Sequence, residues 1–166
     1  MLAAATPELL ARPARVDVLR RALDRFLGET DPAPLVARDP VALVRRYEDP
    51  HDQEVAGLLV AALAYGRASL IRERAQAALD ALGPRPARAI DTPAVRARLD
   101  GFVYRFQRGS DLPRFLGAVA RVRREDGSLG AAFARGVVDA DPDYIPALDV
   151  WSLRLRAAVD GPISRG

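Results

Sequence analysis

The residue types best suited to chemistry lie in one stretch, Arg46-Tyr47-Glu48-Asp49-Pro50-His51-Asp52-Gln53-Glu54, which sets four carboxylates beside the chain's one histidine. Carboxylates at this density suit a hard cation such as magnesium or calcium, and paired acids can split their pKa values for general acid and base work. The same residues also spell a helix start. Asp49 stands as N-cap, Pro50 falls in the first turn, and Asp52 and Glu54 lie beside the positive end of the helix dipole. Capping needs no chemistry and is the simpler account of Asp49, Asp52 and Glu54, with His51 as an exposed turn residue rather than a ligand.

Two further groups combine arginine with aromatic rings. Tyr65-Gly66-Arg67 puts a polar aromatic, a flexible glycine and a cation at the mouth of an apolar helix. That combination suits contact with a nucleic acid and equally suits an ordinary helix C-terminus. Phe102-Val103-Tyr104-Arg105-Phe106, followed by Arg108, interleaves rings that can stack on bases with cations that can meet phosphate. Its alternation is also the one strand-like pattern in the chain, which would anchor a connecting segment into the core.

Composition removes several classes of function. The chain of 166 residues has no cysteine and a single histidine, which excludes a disulfide framework, a thiolate nucleophile and a histidine cluster for zinc. All 25 basic residues are arginine, so no lysine amine is available for Schiff-base catalysis, and the formal net charge is only +3. No cofactor and no metal are expected. The start lacks the basic and apolar regions of a signal peptide, and the apolar run Val55 to Tyr65 falls short of the roughly 20 residues that span a bilayer. The expectation is a cytoplasmic protein with no membrane contact.

The elements that must position these residues are helical. Helix punctuation is frequent, sustained alternation of β-branched residues is absent, and an all-α domain follows. Residues 1–14 are expected to form a mobile N-terminus, and 15–166 a helical domain. Val16 to Leu27 carries apolar residues at helical spacing and closes at Gly28; Asp39-Pro40 opens a short helix over 41–47. The stretch from Val55 to Tyr65 is apolar on nearly every face, with Gly57 as a close-packing point, and belongs in the middle of a bundle. Ser69 is placed to cap the next helix, which stops at Gly83-Pro84. Further helices start from Thr92-Pro93, Asp111 and Ser128. Tyr144, Leu148, Trp151, Leu155, Ala158 and Val159 form the inward stripe of the last one, with Trp151 in the core. The chain then stops at Ile163-Ser164-Arg165-Gly166 with that helix still lacking a later partner, which suggests a truncated gene product.

Taken together, Arg46-Tyr47-Glu48-Asp49-Pro50, Asp52, Glu54-Val55-Ala56, Leu63-Ala64-Tyr65-Gly66-Arg67 and Gly101 to Phe106 resemble an uncharacterised bacterial family, DUF2400, across about residues 16 to 166. The resemblance implies that this chain corresponds to the N-terminal part of a longer protein. It also implies a more remote similarity to helix-hairpin-helix DNA glycosylases, hence a multi-helix orthogonal bundle forming part of a glycosylase-like domain. By that analogy Tyr65 and Arg67 face a duplex, with Arg67 beside an extruded base.

Two functions are therefore expected from different classes. In the first, the family's complete form binds DNA or RNA: Arg46, Arg67 and Arg105 touch phosphate, Tyr65 and Tyr104 stack, Gly66 allows close approach, and Asp49, Asp52 and Glu54 cap or orient. No catalytic residue is assigned, and this chain alone is expected to be inert. In the second, it is a non-enzymatic helical interaction module whose acidic and aromatic clusters serve folding or a protein partner. Separately, an exposed apolar face is expected where the missing C-terminal half would dock, with self-association through it.

Overall fold

The computed structural model describes residues 13–159, with the side chains of residues 15–159. The expected mobile segment, apart from its last two residues, and the end of the chain after residue 159 lie outside that range. The described residues form ten helices and no strand: α1 Pro13–Glu29, α2 Ala33–Arg38, α3 Val41–Val44, α4 Pro50–Ala62, α5 Ala68–Leu82, α6 Pro86–Ala89, α7 Pro93–Leu99, α8 Asp111–Asp126, α9 Leu129–Ala134 and α10 Ile145–Ala158. The chain is all-α. It divides into two compact units between Ala37 and Arg38.

The first unit contains α1, whose apolar residues Leu19, Leu23, Phe26 and Leu27 are all at least half exposed. Its helix runs one residue past Gly28 to Glu29. The Asp31 carboxylate accepts the Ala33 N–H at 2.9 Å and so caps α2, a helix not foreseen from the sequence.

The second unit is built around α4, which packs against α3, α5, α6 and α9. Its apolar composition explains the position: Val55, Ala56, Leu59 and Val60, with Leu63 just beyond its end, are buried. A second layer is organised by α8, which contacts α7, α9 and α10 and contributes Leu112, Leu116, Val119 and Val122 to the same core. Leu79, Leu82, Ile90, Val95 and Leu99 complete it.

Three local expectations are corrected. The central helix starts at Pro50, as the Asp49 cap implies, but ends at Ala62 rather than Tyr65: Leu63 is its C-cap, with its N–H still bonded to the Leu59 carbonyl at 3.2 Å, and Tyr65 lies outside. Helix α5 starts at Ala68 with Arg67 in the N-cap position, so Ser69 is inside it and caps nothing. On α10 the buried face is Ala147, Leu155 and Ala158, while Tyr144 is 65% and Leu148 49% exposed. The small Ala147 lets α10 approach closely on that side: a Cβ added to Gly136 would lie 3.2 Å from the Ala147 Cα. Trp151 is partly buried against the core, as its apolar ring requires.

Candidate functional site

The acidic motif leads into α4, and three of its four acids, Asp49, Asp52 and Glu54, are each engaged by backbone N–H groups at a helix start. Asp49, with extended backbone angles, accepts the His51 N–H at 2.8 Å and caps its own helix. Asp52 is buried and accepts the Ala87 N–H at 2.7 Å, capping α6 from outside. Glu54 reaches the start of α9, where its two oxygens accept the Leu129 and Gly130 N–H groups at 2.9 Å each. Ser128 accepts the Ala131 N–H at 2.9 Å, so the first three amides of α9 all have acceptors.

Spacing accounts for this division of labour. At about 100° per residue, positions two apart on a helix lie about 200° apart, which aims Asp52 and Glu54 at neighbours on opposite sides of α4. The carboxylates therefore diverge. Among the described residues there is no group of three histidine, aspartate or glutamate side chains able to hold a metal ion.

Supporting contacts surround this turn. Gln53 donates to the Tyr47 carbonyl at 2.6 Å, and the Tyr47 phenol is raised above its ordinary pKa chiefly by burial. Arg123 of α8 donates to the Ala87 carbonyl at 2.5 Å, so that one residue of α6 is held through its N–H by Asp52 and through its oxygen by Arg123. Arg46 belongs to this end, where it is hydrogen-bonded to Gln76 of α5.

At the other end of α4, about 20 Å away for 13 residues, the two aromatic and arginine motifs come together. Tyr104 to Gln107 forms a tight turn closed by two backbone hydrogen bonds, Tyr104 N–H to the Gln107 carbonyl at 3.2 Å and the reverse at 2.9 Å. This turn fastens onto the end of α4. The Tyr104 hydroxyl donates to the Tyr65 carbonyl at 2.7 Å, the Gln107 amide donates to the Ala62 carbonyl at 3.3 Å, and the Tyr65 hydroxyl donates to the Gln107 side-chain oxygen. Carbonyls freed by the end of α4 thus acquire donors from the turn. Burial, reinforced by Tyr104, raises the Tyr65 phenol above its ordinary pKa.

The rings form a column. Tyr104 is buried at its root, Tyr65 stacks on Tyr104 with centroids 5.3 Å apart and planes 24° from parallel, and Phe106 lies 5.8 Å from Tyr65. Phe106 is 63% exposed, because the turn at Arg105 breaks the strand-like alternation that would have carried it into the core. Arg105 has φ of +50°, the one positive value among the described non-glycine residues. Its guanidinium lies over Gly66, where an added Cβ would be 2.6 Å from Nη2; Gly66 itself has φ of +121°. The positive φ calls for glycine there, whereas the guanidinium is the far end of a flexible side chain and could shift aside.

Arg67 follows Gly66 at the exposed start of α5, a helix with no side-chain cap. Among the described residues Arg67 and Arg105 stand in no ion pair, unlike Arg96 and Arg124 with Asp91, or Arg135 and Arg154 with Asp126. The structure therefore joins Tyr65, Gly66, Arg67, Tyr104 and Arg105 in one place and leaves Arg46 with the acids at the other. Gln107 was not singled out from the sequence, and Phe106 was read there within the strand-like aromatic run; the closed turn reveals that Gln107 clamps Tyr65 and that Phe106 is its exposed tip.

These features define a helical bundle whose central helix is capped at one end by carboxylates and at the other by an aromatic turn carrying free arginines. The chain belongs to the DUF2400 family, described as a protein of unknown function, whose profile matches residues 39–159 and so includes both ends of α4. Neither a curated protein nor a solved structure matches the chain. No helix among the described residues is long and apolar enough to cross a membrane.

Proposed function

We propose that this protein binds nucleic acid through the end of the bundle formed by Tyr65, Gly66, Arg67, Tyr104 and Arg105. The observation that carries this reading is the pair of exposed guanidiniums, Arg67 and Arg105, which form no ion pair among the described residues. They adjoin the uncapped start of α5, whose free N–H groups and helix dipole also favour a phosphate. Arginine forks bind phosphate oxygens in pairs, which positions a backbone without reading its sequence. The reading concerns binding rather than chemistry, since Asp49, Asp52 and Glu54 are occupied by backbone amides.

Fluorescence anisotropy against DNA and RNA over a salt series tests it. Binding should weaken steeply with salt, and removing Arg67 or Arg105 should lower the slope by about one counterion each. Arg105→Gly is the appropriate variant, because glycine keeps the positive φ of the turn while deleting the cation. Salt-independent binding, or unchanged affinity in both variants, refutes the assignment.

A specific observation also favours a protein-interaction module. A shallow apolar groove lies between α3, α4 and α5, lined by Val41, Val44, Val60, Ala61, Ala64 and Ile71. Such a groove fits the apolar face of a helix from a partner, and that binding would be insensitive to salt.

A further inference from the structure

We infer that the aromatic column makes this site selective for unpaired bases, so that its substrate class is single-stranded or locally opened nucleic acid rather than intact duplex. The inference rests on the nucleic-acid reading above and specifies its ligand. Three rings run from core to surface in the order Tyr104, Tyr65, Phe106. The first is 3% exposed and the last 63% exposed. The column is fixed from below: the Tyr104 hydroxyl is bonded to the Tyr65 carbonyl, and Gln107 grips both the Tyr65 hydroxyl and the Ala62 carbonyl. Phe106 therefore presents surface to solvent on a support that is already ordered, so an arriving ring loses little to reorganisation.

A planar base fits this position. An aromatic ring at the end of an ordered column offers stacking without hydrogen-bond readout, which every base accepts. In a continuous duplex each base face is already covered by its neighbours, so only an unpaired, terminal or extruded base can complete the column. The flanking charge agrees, because Arg105 precedes Phe106 in the turn and its guanidinium reaches Gly66, next to Arg67. Cations on one side of a stacking ring match the phosphate of the nucleotide whose base is stacked.

The test uses the whole chain with short strands of one sequence, as single-stranded DNA, single-stranded RNA and blunt duplex, each carrying an adenine analogue whose fluorescence is quenched by stacking. The expected result is quenching and tighter binding for single strands than for duplex, with the preferred sugar shown by the two single-stranded arms. Phe106→Ala should abolish the quenching and weaken single-strand binding about ten-fold or more, while leaving weak duplex binding unchanged. Phe106 is exposed, so this variant keeps its fold, which circular dichroism verifies; Phe106→Trp should retain the quenching. Equal affinity for duplex and single strand, or quenching that survives Phe106→Ala, overturns the inference. If binding depends on salt, Arg67 and Arg105 but not on Phe106, the nucleic-acid reading stands and the base-stacking inference falls. If no strand binds, both fall.

Discussion

The Glu54 clasp can be tested by an experiment in which helix propensity and capping predict opposite signs. Glu54 accepts two amides of α9, Leu129 and Gly130, and its side chain is 27% exposed. A hydrogen bond to a charged group contributes about 1.5–3 kcal/mol when buried, and partial exposure lets water recover part of the loss. Glu54→Ala should therefore cost about 2–3 kcal/mol in total. For a chain of this size that corresponds to a fall of roughly 5–10 °C in Tm. Gly130 supplies the discriminating variant. Alanine in a helix is favoured over glycine by about 0.5–1 kcal/mol, so propensity alone predicts that Gly130→Ala stabilises. A Cβ there would lie 2.9 Å from the Glu54 Oε1, however, and must push the carboxylate off its amides. In the parent chain Gly130→Ala should be neutral or destabilising; in the Glu54→Ala background it should stabilise by about 0.5–1 kcal/mol, giving a coupling of about 1 kcal/mol. Urea unfolding followed by far-UV circular dichroism measures all four corners of the cycle, and hydrogen exchange at Leu129 and Gly130 reports the cap itself. Additive effects, or exchange rates unmoved by Glu54→Ala, would refute the clasp.

Other perturbations follow from the same geometry. Asp52→Ala leaves the Ala87 amide without its acceptor in a partly buried place and should destabilise by about 1–3 kcal/mol, read as a lower urea midpoint. Gly66→Ala should destabilise through its positive φ, whereas Gly57→Ala should be tolerated or mildly stabilising, since its Cβ would meet only Val44 Cγ1 at an ordinary 3.8 Å; equal Tm shifts in the two would contradict this. Burial opposes ionisation of Asp91, but hydrogen bonds from Arg96 and Arg124 outweigh it and hold the carboxyl below its ordinary value. A depressed folded pKa gives stability that is present above the unfolded value and lost as pH falls through the folded one. Asp91→Asn should therefore be less stable than the parent at neutral pH, with the gap closing in acid; a gap constant across a pH series of urea midpoints would disprove it.

The all-α class and the central place of α4 were legible because they rest on local features: frequent caps, a missing strand period, and a helix too apolar to face water. Asp49 as N-cap was legible for the same reason, since the cap lies two residues from the amide it satisfies. The tasks of Asp52 and Glu54 were not. Their targets, Ala87 and Leu129, lie 35 and 75 residues away, and nothing in a helix-start pattern says that an acid in the first turn will cap someone else's helix. Trp151, Leu155, Ala158 and Val159 of the expected α10 stripe do pack against the core, but Tyr144 and Leu148 were misplaced because periodicity weighs large side chains, and there the contact is made by Ala147 at the close approach to Gly136. Phe106 was misplaced because alternation assumes a continuing strand, and the positive φ of Arg105 ends it.

One physical requirement connects the two motif groups. A helix that is apolar on every side can be buried only if its own ends, and the ends of the helices abutting it, find partners without water. At the first turn of α4 carboxylates meet three sets of helix N–H groups, which also matches negative charge to the positive ends of helix dipoles. At its last turn the opposite polarity applies, and hydroxyl and amide donors from Tyr104 and Gln107 meet carbonyls. Acids at one end and aromatic donors at the other are thus what a buried central helix demands. Arg67, Arg105 and the exposed ring of Phe106 are not explained by that demand. An arginine held at positive φ is a local cost of the turn, and together with Arg67 and the exposed ring of Phe106 it is what the proposed function draws on. The proposed function accordingly rests on these three residues: Arg67→Ala and Phe106→Ala should alter binding while leaving the free energy of unfolding within about 0.5 kcal/mol of the parent, and Arg105→Gly, which relieves the positive φ, should be no less stable than the parent.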